Sequence, residues 1–186
     1  MRPAQVEANH SIRLAPAHVA ATLTTSETVL IESLQQFTSN FPPALQWLAV
    51  MLVAAVPFIE SYFGSALGVV IGINPVIAIF AAIVGNVASM LLLVNGAHFV
   101  RGKVAKEKTA PSLKFVKLRS AFDKYGIAGV SLLGQTILPS QITSAALVSF
   151  GAAKEKVVFW QIISIILWGT AFGLLAFLGM DLVLGS

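Results

Sequence analysis

The chain has 186 residues, of which 56% are hydrophobic and only 11% are charged, and its net charge is +4. Soluble domains carry about 25% charged residues, so the composition excludes an ordinary soluble globular domain and indicates an integral membrane protein. The absence of cysteine excludes a disulfide framework and a thiolate metal site. No catalytic triad, metal-ligand spacing or cofactor motif occurs, so the sequence predicts neither an enzyme nor a bound metal or cofactor.

The N-terminal part of the chain predicts a tail followed by a helix on the membrane surface. Residues 1–23 are polar and small, which favours a disordered tail. Thr24 and Glu27 fit a capping box, and the apolar residues that follow lie on one helical face. We expect this amphipathic helix to end at Asn40, before Pro42.

A single acid interrupts the next apolar segment. Glu60 is the only Asp, Glu, Lys or Arg between positions 44 and 100, and an acid at the centre of a membrane helix costs about 2.5–3.5 kcal/mol on insertion scales. Ala44–Ile59 is short for a span, and Ser61–Ile73 is rich in small residues. With Pro57 and Gly64 as breaks beside the acid, the segment predicts a re-entrant hairpin. A carboxyl in apolar surroundings favours its neutral form, so we expect Glu60 to exchange a proton near neutral pH.

A turn and a full span follow the first hairpin. Gly72, Asn74 and Pro75 predict the turn, with Pro75 as the first helical residue. Pro75–Val100 is apolar and exceeds the roughly 20 residues that a span requires. Asn86 lies in its middle and needs a partner, either in helix packing or in a substrate.

Residues 101–124 form a basic block that holds eight of the twelve Lys and Arg residues. Beside two spans, such a block indicates a cytoplasmic loop that faces anionic lipid headgroups rather than a nucleic acid. The end of the block has an apolar stripe, which predicts a second surface helix that Gly126 stops.

The second half of the chain predicts another hairpin and span. Ile127–Gly151 is apolar and broken by Pro139, and Val157–Leu184 is long enough to span the membrane. Uncharged polar residues accompany the break: Gln135, Ser140, Gln141, Thr143 and Ser144.

The two halves resemble each other. A shift of 79 residues gives seven identities over the 26 positions from Glu60 to Gly85 and places Glu60 on Pro139. With the basic block inside, the halves have opposite orientations. The predicted fold is therefore an all-α integral membrane protein, an inverted repeat of two re-entrant hairpins, each followed by a full transmembrane helix, with amphipathic surface helices. The repeats occupy residues 24–100 and 112–186, joined by a basic loop at 101–111; five or six plain spans with kinks are the alternative.

At this point the residues resemble a known family. The string Glu60-x3-Gly64-x3-Gly68-x3-Gly72-x-Asn74-Pro75, with Gly85-Asn86 after it, is similar to the first half of the small multidrug export proteins. Their second half is resembled by Lys124-Tyr125-Gly126, Leu138-Pro139 and Phe150-Gly151. That family is related to the DedA (VTT-domain) membrane proteins. The resemblance implies two hairpins that face each other, proton-linked transport or lipid movement, and a working role for the hairpin acid. The arginines that DedA proteins carry around the second break are replaced by glutamines here, which removes a bidentate phosphate clamp.

The sequence therefore predicts a multi-pass transporter of the cell (inner) membrane, coupled to protons or cations, that moves a small molecule or drug-like solute. A DedA-like lipid flippase or scramblase and a non-transporting scaffold or assembly factor are the alternatives. Its small-residue arms offer an interface for a homo-oligomer. The residues assigned to the proton or substrate pathway are Glu60, Pro139, Gln135, Gln141, Ser140, Thr143, Ser144 and Asn86, with hinges at Pro57, Gly64, Gly72, Asn74 and Pro75.

Overall fold

The structure is a computed structural model, and it describes residues 29–100, 113–134 and 138–184, with the side chains of 97–100 and 183–184 left out. The chain divides into two compact units, Met1–Asn40 and Phe41–Ser186. In the first unit, residues 29–39 form helix α1. Its end before Asn40 confirms the predicted boundary, whereas the tail and the capping box at Thr24 lie outside the described residues.

The second unit contains only helices in its described part. A 3-10 turn at Pro43–Leu45 precedes six α-helices: α2 Gln46–Ala54, α3 Glu60–Val70, α4 Pro75–Val100, α5 Leu113–Gly134, α6 Ser140–Ser149 and α7 Lys154–Leu184. The long α4 and α7 alternate with pairs of shorter helices.

Two helices are long and apolar enough to cross a membrane. They cover 22 residues of α4 (Pro75–Gly96) and 29 residues of α7 (Lys154–Leu182). Large apolar side chains on both remain exposed, among them Phe80 at 69% and Leu175 at 63%, as expected for faces in contact with lipid. Both predicted spans are confirmed as helices of this kind. However, α7 begins at Lys154, three residues before the predicted start at Val157, so its first turn includes the charged residues Lys154, Glu155 and Lys156.

The first break is longer than the sequence predicts. The apolar arm expected over Ala44–Ile59 is helical in α2 only to Ala54, and residues 55–59 form turns. Pro57 explains this end, because it lacks an N–H and disfavours helical geometry in the residue before it. Phe58 and Glu60 then adopt positive φ angles of 76° and 56°, a conformation that costs a non-glycine residue roughly 1–3 kcal/mol.

Gly64 is not a break, which corrects the predicted hinge. It lies inside α3, and a Cβ at this position would stand 2.7 Å from the Ala54 Cβ. Gly68, one turn later, approaches Ala78 of α4 equally closely. These glycines let α3 pack tightly against α2 and α4.

The predicted turn after the first hairpin is present. Gly72 has a φ of 91°, and the Asn74 side chain caps α4 by accepting a hydrogen bond from the Val76 N–H at 3.0 Å. Pro75 is the first residue of α4. The second half repeats this geometry 79 residues later, where Gly151 has a φ of 98° and α7 begins at Lys154.

Helix α5 joins two segments across a kink at Gly126, which has φ 68° and ψ −169°. This kink confirms the predicted stop of the surface helix. Before the kink, the Arg119 guanidinium lies 5.1 Å from the Phe150 ring centre and donates to the Phe150 carbonyl at 3.5 Å. The basic part of α5 is thereby attached to the C-terminal end of α6, where a cation is favourable.

Apolar side chains, both small and large, fill the interfaces between these helices. Helices α2 and α4 meet through one buried cluster, α4 and α7 through a second, and α5, α6 and α7 through a third. The buried members are Val50, Ala54, Ala81 and Ala82 in the first, Met90, Val94 and Ile165 in the second, and Leu118, Val130, Ala146, Leu147 and Val157 in the third.

Candidate functional site

The Glu60 carboxylate contacts the second break directly. Glu60 is completely buried, and its Oε1 accepts a hydrogen bond from the backbone N–H of Ser140, the first residue of α6. The first N–H groups of a helix have no partner within the helix. The acid of the first half therefore caps a helix of the second half, 80 residues away in the chain.

The positive ends of two helices converge on this carboxylate. Glu60 is itself the first residue of α3, and it caps α6. Each helix N-terminus carries the equivalent of roughly half a positive charge. No Lys or Arg occurs in α2, α3 or α6, so backbone dipoles supply the compensation that a cationic side chain would otherwise provide.

A network of uncharged polar side chains surrounds the first turn of α6. The Asn86 Oδ1 accepts hydrogen bonds from the Ser140 hydroxyl at 3.2 Å and from the Gln141 Nε2 at 3.1 Å. Gln141 Nε2 also donates to the Ser89 hydroxyl at 3.3 Å. The structure thus brings four predicted site residues together: Glu60, Asn86, Ser140 and Gln141.

The other predicted site residues around the second break have simpler roles. Pro139 is buried as the N-cap of α6, with φ −53° and ψ 143°. The hydroxyls of Thr143 and Ser144 are buried, but each donates within its own segment, to Leu138 O at 3.4 Å and to Ser140 O at 2.6 Å. Gln135 lies outside the described residues.

Several buried polar atoms, two of them in this network, lack a partner among the described residues. They are Glu60 Oε2, Asn86 Nδ2, Ser131 Oγ and both amide atoms of Gln161. All four side chains have no exposed surface. Buried polar groups in folded proteins are nearly always hydrogen-bonded, so these atoms mark where a proton, a water or a ligand could bind.

Sequence reasoning missed three groups of polar residues. Ser61 and Ser65 of α3 donate to the carbonyls of Ile165 and Gly169 at 3.0 and 2.8 Å and attach the acid-bearing helix to α7. Gln161 is an amide within an apolar span, the same signal that identified Asn86. Ser131 and Ser89 gave no signal, because a single serine is common in membrane helices, where its hydroxyl usually bonds the backbone of its own helix. In the structure Ser89 instead donates to the Ala55 carbonyl at 2.6 Å.

Two open, mostly apolar cavities adjoin the network. One, of about 370 Å³, lies between α2 and α4 and includes Ser89. The other, of about 620 Å³, lies between α4, α5 and α6 and includes Gln141. The hydrogen-bonded pair of Ser89 and Gln141 therefore contributes polar groups to both.

No protein-family model, curated protein or solved structure matches the chain. Its own geometry defines the class: an all-α protein with two helices long and apolar enough to span a membrane, and a buried acid between its two halves.

Proposed function

We propose that this protein is a multi-pass membrane transporter of a small solute and that Glu60 carries the coupling proton. One observation carries the proposal. A fully buried acid joins the two halves through one carboxylate oxygen, while its other oxygen has no partner among the described residues. Such a group can bind a proton and change partners, whereas a purely structural acid is expected to have both oxygens bonded.

We further propose that the chain is an inverted repeat of two re-entrant hairpins. Helices α2, α3 and α6 have 9, 11 and 10 residues. At 1.5 Å per residue they reach only about 14–17 Å, half of the ~30 Å hydrocarbon core. Paired contacts support the repeat: Ser61 donates to Ile165 and Ser140 donates to Asn86. In the 79-residue register Ser61 corresponds to Ser140, and Asn86 corresponds to Ile165. The serine of each half therefore bonds the equivalent position of the other half, as a pseudo-twofold axis requires.

The basic segment gives the orientation in this proposal. Lys114, Lys117 and Lys124 are exposed on the part of α5 before Gly126. Positive residues beside spans remain in the cytoplasm and attract anionic headgroups. We therefore place residues 101–124 on the cytoplasmic side of the cell membrane, with lipids as the partner of this surface.

A lipid flippase is a second candidate, which the cavities beside Gln141 and Ser89 favour. Their linings are almost entirely apolar and could hold acyl chains. However, the helices around Glu60 offer no guanidinium to hold a phosphate headgroup. A scaffold is disfavoured because the buried network retains unpartnered atoms, which weaken a purely structural core.

Infrared spectroscopy tests the proton role without knowledge of the substrate. The purified protein in lipid is titrated from about pH 5 to pH 9, and the C=O band of a protonated carboxyl is followed. We expect one buried carboxyl to titrate in the wild type and the signal to vanish in Glu60→Gln. The exposed acid in the first turn of α7 provides the control, because Glu155→Gln should retain the signal.

Transport itself is measured in proteoliposomes that contain a pH-sensitive dye. With a panel of small organic cations, sugars and carboxylates outside, the wild type and Glu155→Gln should couple uptake of one class to proton movement, and Glu60→Gln should lose that coupling. Glu60→Gln with wild-type proton flux would contradict the proposal. Movement of a fluorescent phospholipid that persists in Glu60→Gln would favour the flippase.

A further inference from the structure

We propose that the first turn of α6 is a binding site for a carboxylate group of the transported solute. In the structure the Glu60 carboxylate occupies this site, and it leaves when it takes up a proton. The inference rests on the proposed transport function and adds to it the chemical class of the substrate.

The first turn of α6 presents hydrogen-bond donors in a buried place. The Ser140 N–H donates to Glu60, and the Ser140 hydroxyl lies beside Asn86. Because Asn86 Oδ1 is bound to Ser140 and Gln141, its amide is fixed at this turn. Its Nδ2 is a donor without a partner among the described residues, on a side chain with no exposed surface. An unused buried donor beside a helix N-terminus indicates an anionic ligand.

Glu60 shows which anion the site accepts, because its carboxylate has the chemical form of the proposed ligand. It uses only one oxygen in the site, and the other remains without a partner. Its backbone has a φ of 56°, and that of Phe58 is 76°. Both residues are held in a conformation that L-residues rarely adopt. Loss of the hydrogen bond to Ser140 therefore gives this break freedom to relax and to withdraw the side chain.

The local charges select a monovalent anion. The N-termini of α3 and α6 together supply the equivalent of about one positive charge, and no Lys or Arg occurs in either helix. This positive charge balances the single negative charge of one carboxylate. A phosphate dianion would keep one uncompensated charge in a buried site, and a cation would be repelled by both helix ends.

Glu60 is the group that receives the proton. Among the elements packed around it, Tyr62 of α3 is the only other titratable side chain near the acid. Helices α2 and α6, the described side chains of α4 and the part of α5 after Gly126 contain no titratable residue. The charged residues at the two ends of α7 and on the first part of α5 are at the surface: Lys154, Glu155, Lys156, Asp181, Lys114, Lys117, Arg119, Asp123 and Lys124.

Electroneutral transport follows from this exchange. A protonated Glu60 together with a bound carboxylate carries the same net charge as the ionised Glu60 alone. One proton and one monocarboxylate therefore move together, and the membrane potential should not drive the process. Each pH unit above the titration of Glu60 should weaken carboxylate binding about tenfold, because one proton must bind for the site to open.

Calorimetry on the full-length protein in lipid nanodiscs tests the site with three probes: pyruvate, sulfate, which is a dianion throughout this pH range, and tetramethylammonium. We expect wild-type protein to bind pyruvate at about pH 5.5 and to lose at least about tenfold in affinity at pH 8. Glu60→Gln is neutral at both pH values and should bind pyruvate equally well at both. Asn86→Asp replaces the unpartnered Nδ2 donor with an oxygen and should abolish pyruvate binding. Asn95→Asp is the matched control, because Asn95 is exposed on the same helix.

The outcomes separate this inference from the proposed function. If the Glu60 band titrates but pyruvate does not bind to wild type at low pH, the carboxylate site is wrong and proton exchange stands. If Glu60→Gln binds pyruvate but no wild-type carboxyl titrates, the carboxylate-binding site is correct and the proposal that Glu60 carries the proton is wrong. Equal or tighter binding of sulfate or tetramethylammonium overturns the proposed substrate class. Should Glu60→Gln fail to fold, the wild-type pH series and the Asn86→Asp comparison still decide.

Discussion

Replacing Gly64 by alanine should destabilise the protein, although alanine is the better helix former. The new Cβ would lie 2.7 Å from the Ala54 Cβ and 3.4 Å from the Ala82 Cβ. Carbon atoms in favourable contact are about 3.5–4.0 Å apart, so α3 must move by about 1 Å from α2. Neither neighbour has a flexible side chain that could yield, and overpacking of this kind costs about 1–3 kcal/mol.

Whether Gly64→Ala lowers or raises the stability distinguishes a tightly packed glycine from a hinge glycine. A hinge glycine within a helix would give the opposite result, because alanine there stabilises by about 0.5–1 kcal/mol. Gly179 of α7 is the matched control: a Cβ at that position meets nothing within 4 Å. We expect Gly179→Ala to be neutral or slightly stabilising.

Thermal melting of the purified variants provides the measurement. For a chain of this size, 1 kcal/mol corresponds to about 2–4 °C in Tm, so Gly64→Ala should melt about 2–12 °C below wild type. Its proton-coupled flux should also fall, because Glu60 lies one turn away on α3 and a displacement of about 1 Å can cost 100-fold in a positioned site. A Tm at or above that of wild type would refute the packing argument.

Two further predictions concern the hydrogen bonds between α3 and α7 and the orientation in the membrane. Ser61→Ala and Ser65→Ala each remove a hydroxyl that donates to a carbonyl of α7, so each should lower the stability by about 0.5–1.5 kcal/mol in the same melting assay. If both variants melt like the wild type, these bonds contribute nothing to stability. Single cysteines at Ser112 and Ser186, treated with an impermeant thiol reagent on intact cells, should react only at Ser186, and labelling at Ser112 alone would reverse the proposed orientation.

Local chemistry made several boundaries predictable from the sequence. Asn74 and Pro75 encode a turn and a first helical residue, and both lie where predicted. The structure adds that the Asn74 side chain caps α4. Gly126 interrupts α5 because glycine tolerates its φ of 68°. The two long apolar helices follow from composition alone. The cap at Asn74 and the kink at Gly126 depend on a few neighbouring residues, and the long helices depend only on the composition of their own segments.

The tertiary role of a small residue was not predictable. Gly64 signals flexibility in a sequence, but in the structure Ala54, ten residues earlier, gives it a packing role. The sequence could not identify the Ser140 N–H as the hydrogen-bond partner of Glu60 either, because every non-proline residue has a backbone N–H. Only the repeat register, which aligned Glu60 with Pro139, indicated that the two breaks are equivalent positions.

The two breaks are equivalent in register but opposite in chemistry, and this asymmetry lets one acid serve the site. The first break supplies a carboxylate on a backbone with two positive φ angles. The second has Pro139 as N-cap, whose side chain forms no capping hydrogen bond, so the Ser140 N–H is left for a partner from elsewhere. An acid at both breaks would bring two negative charges together, and a proline at both would leave two uncapped helix ends. In the mechanism that we propose, a single acid that faces a single helix start without a side-chain cap of its own gives a site with one negative charge, which a proton or a substrate carboxylate can exchange.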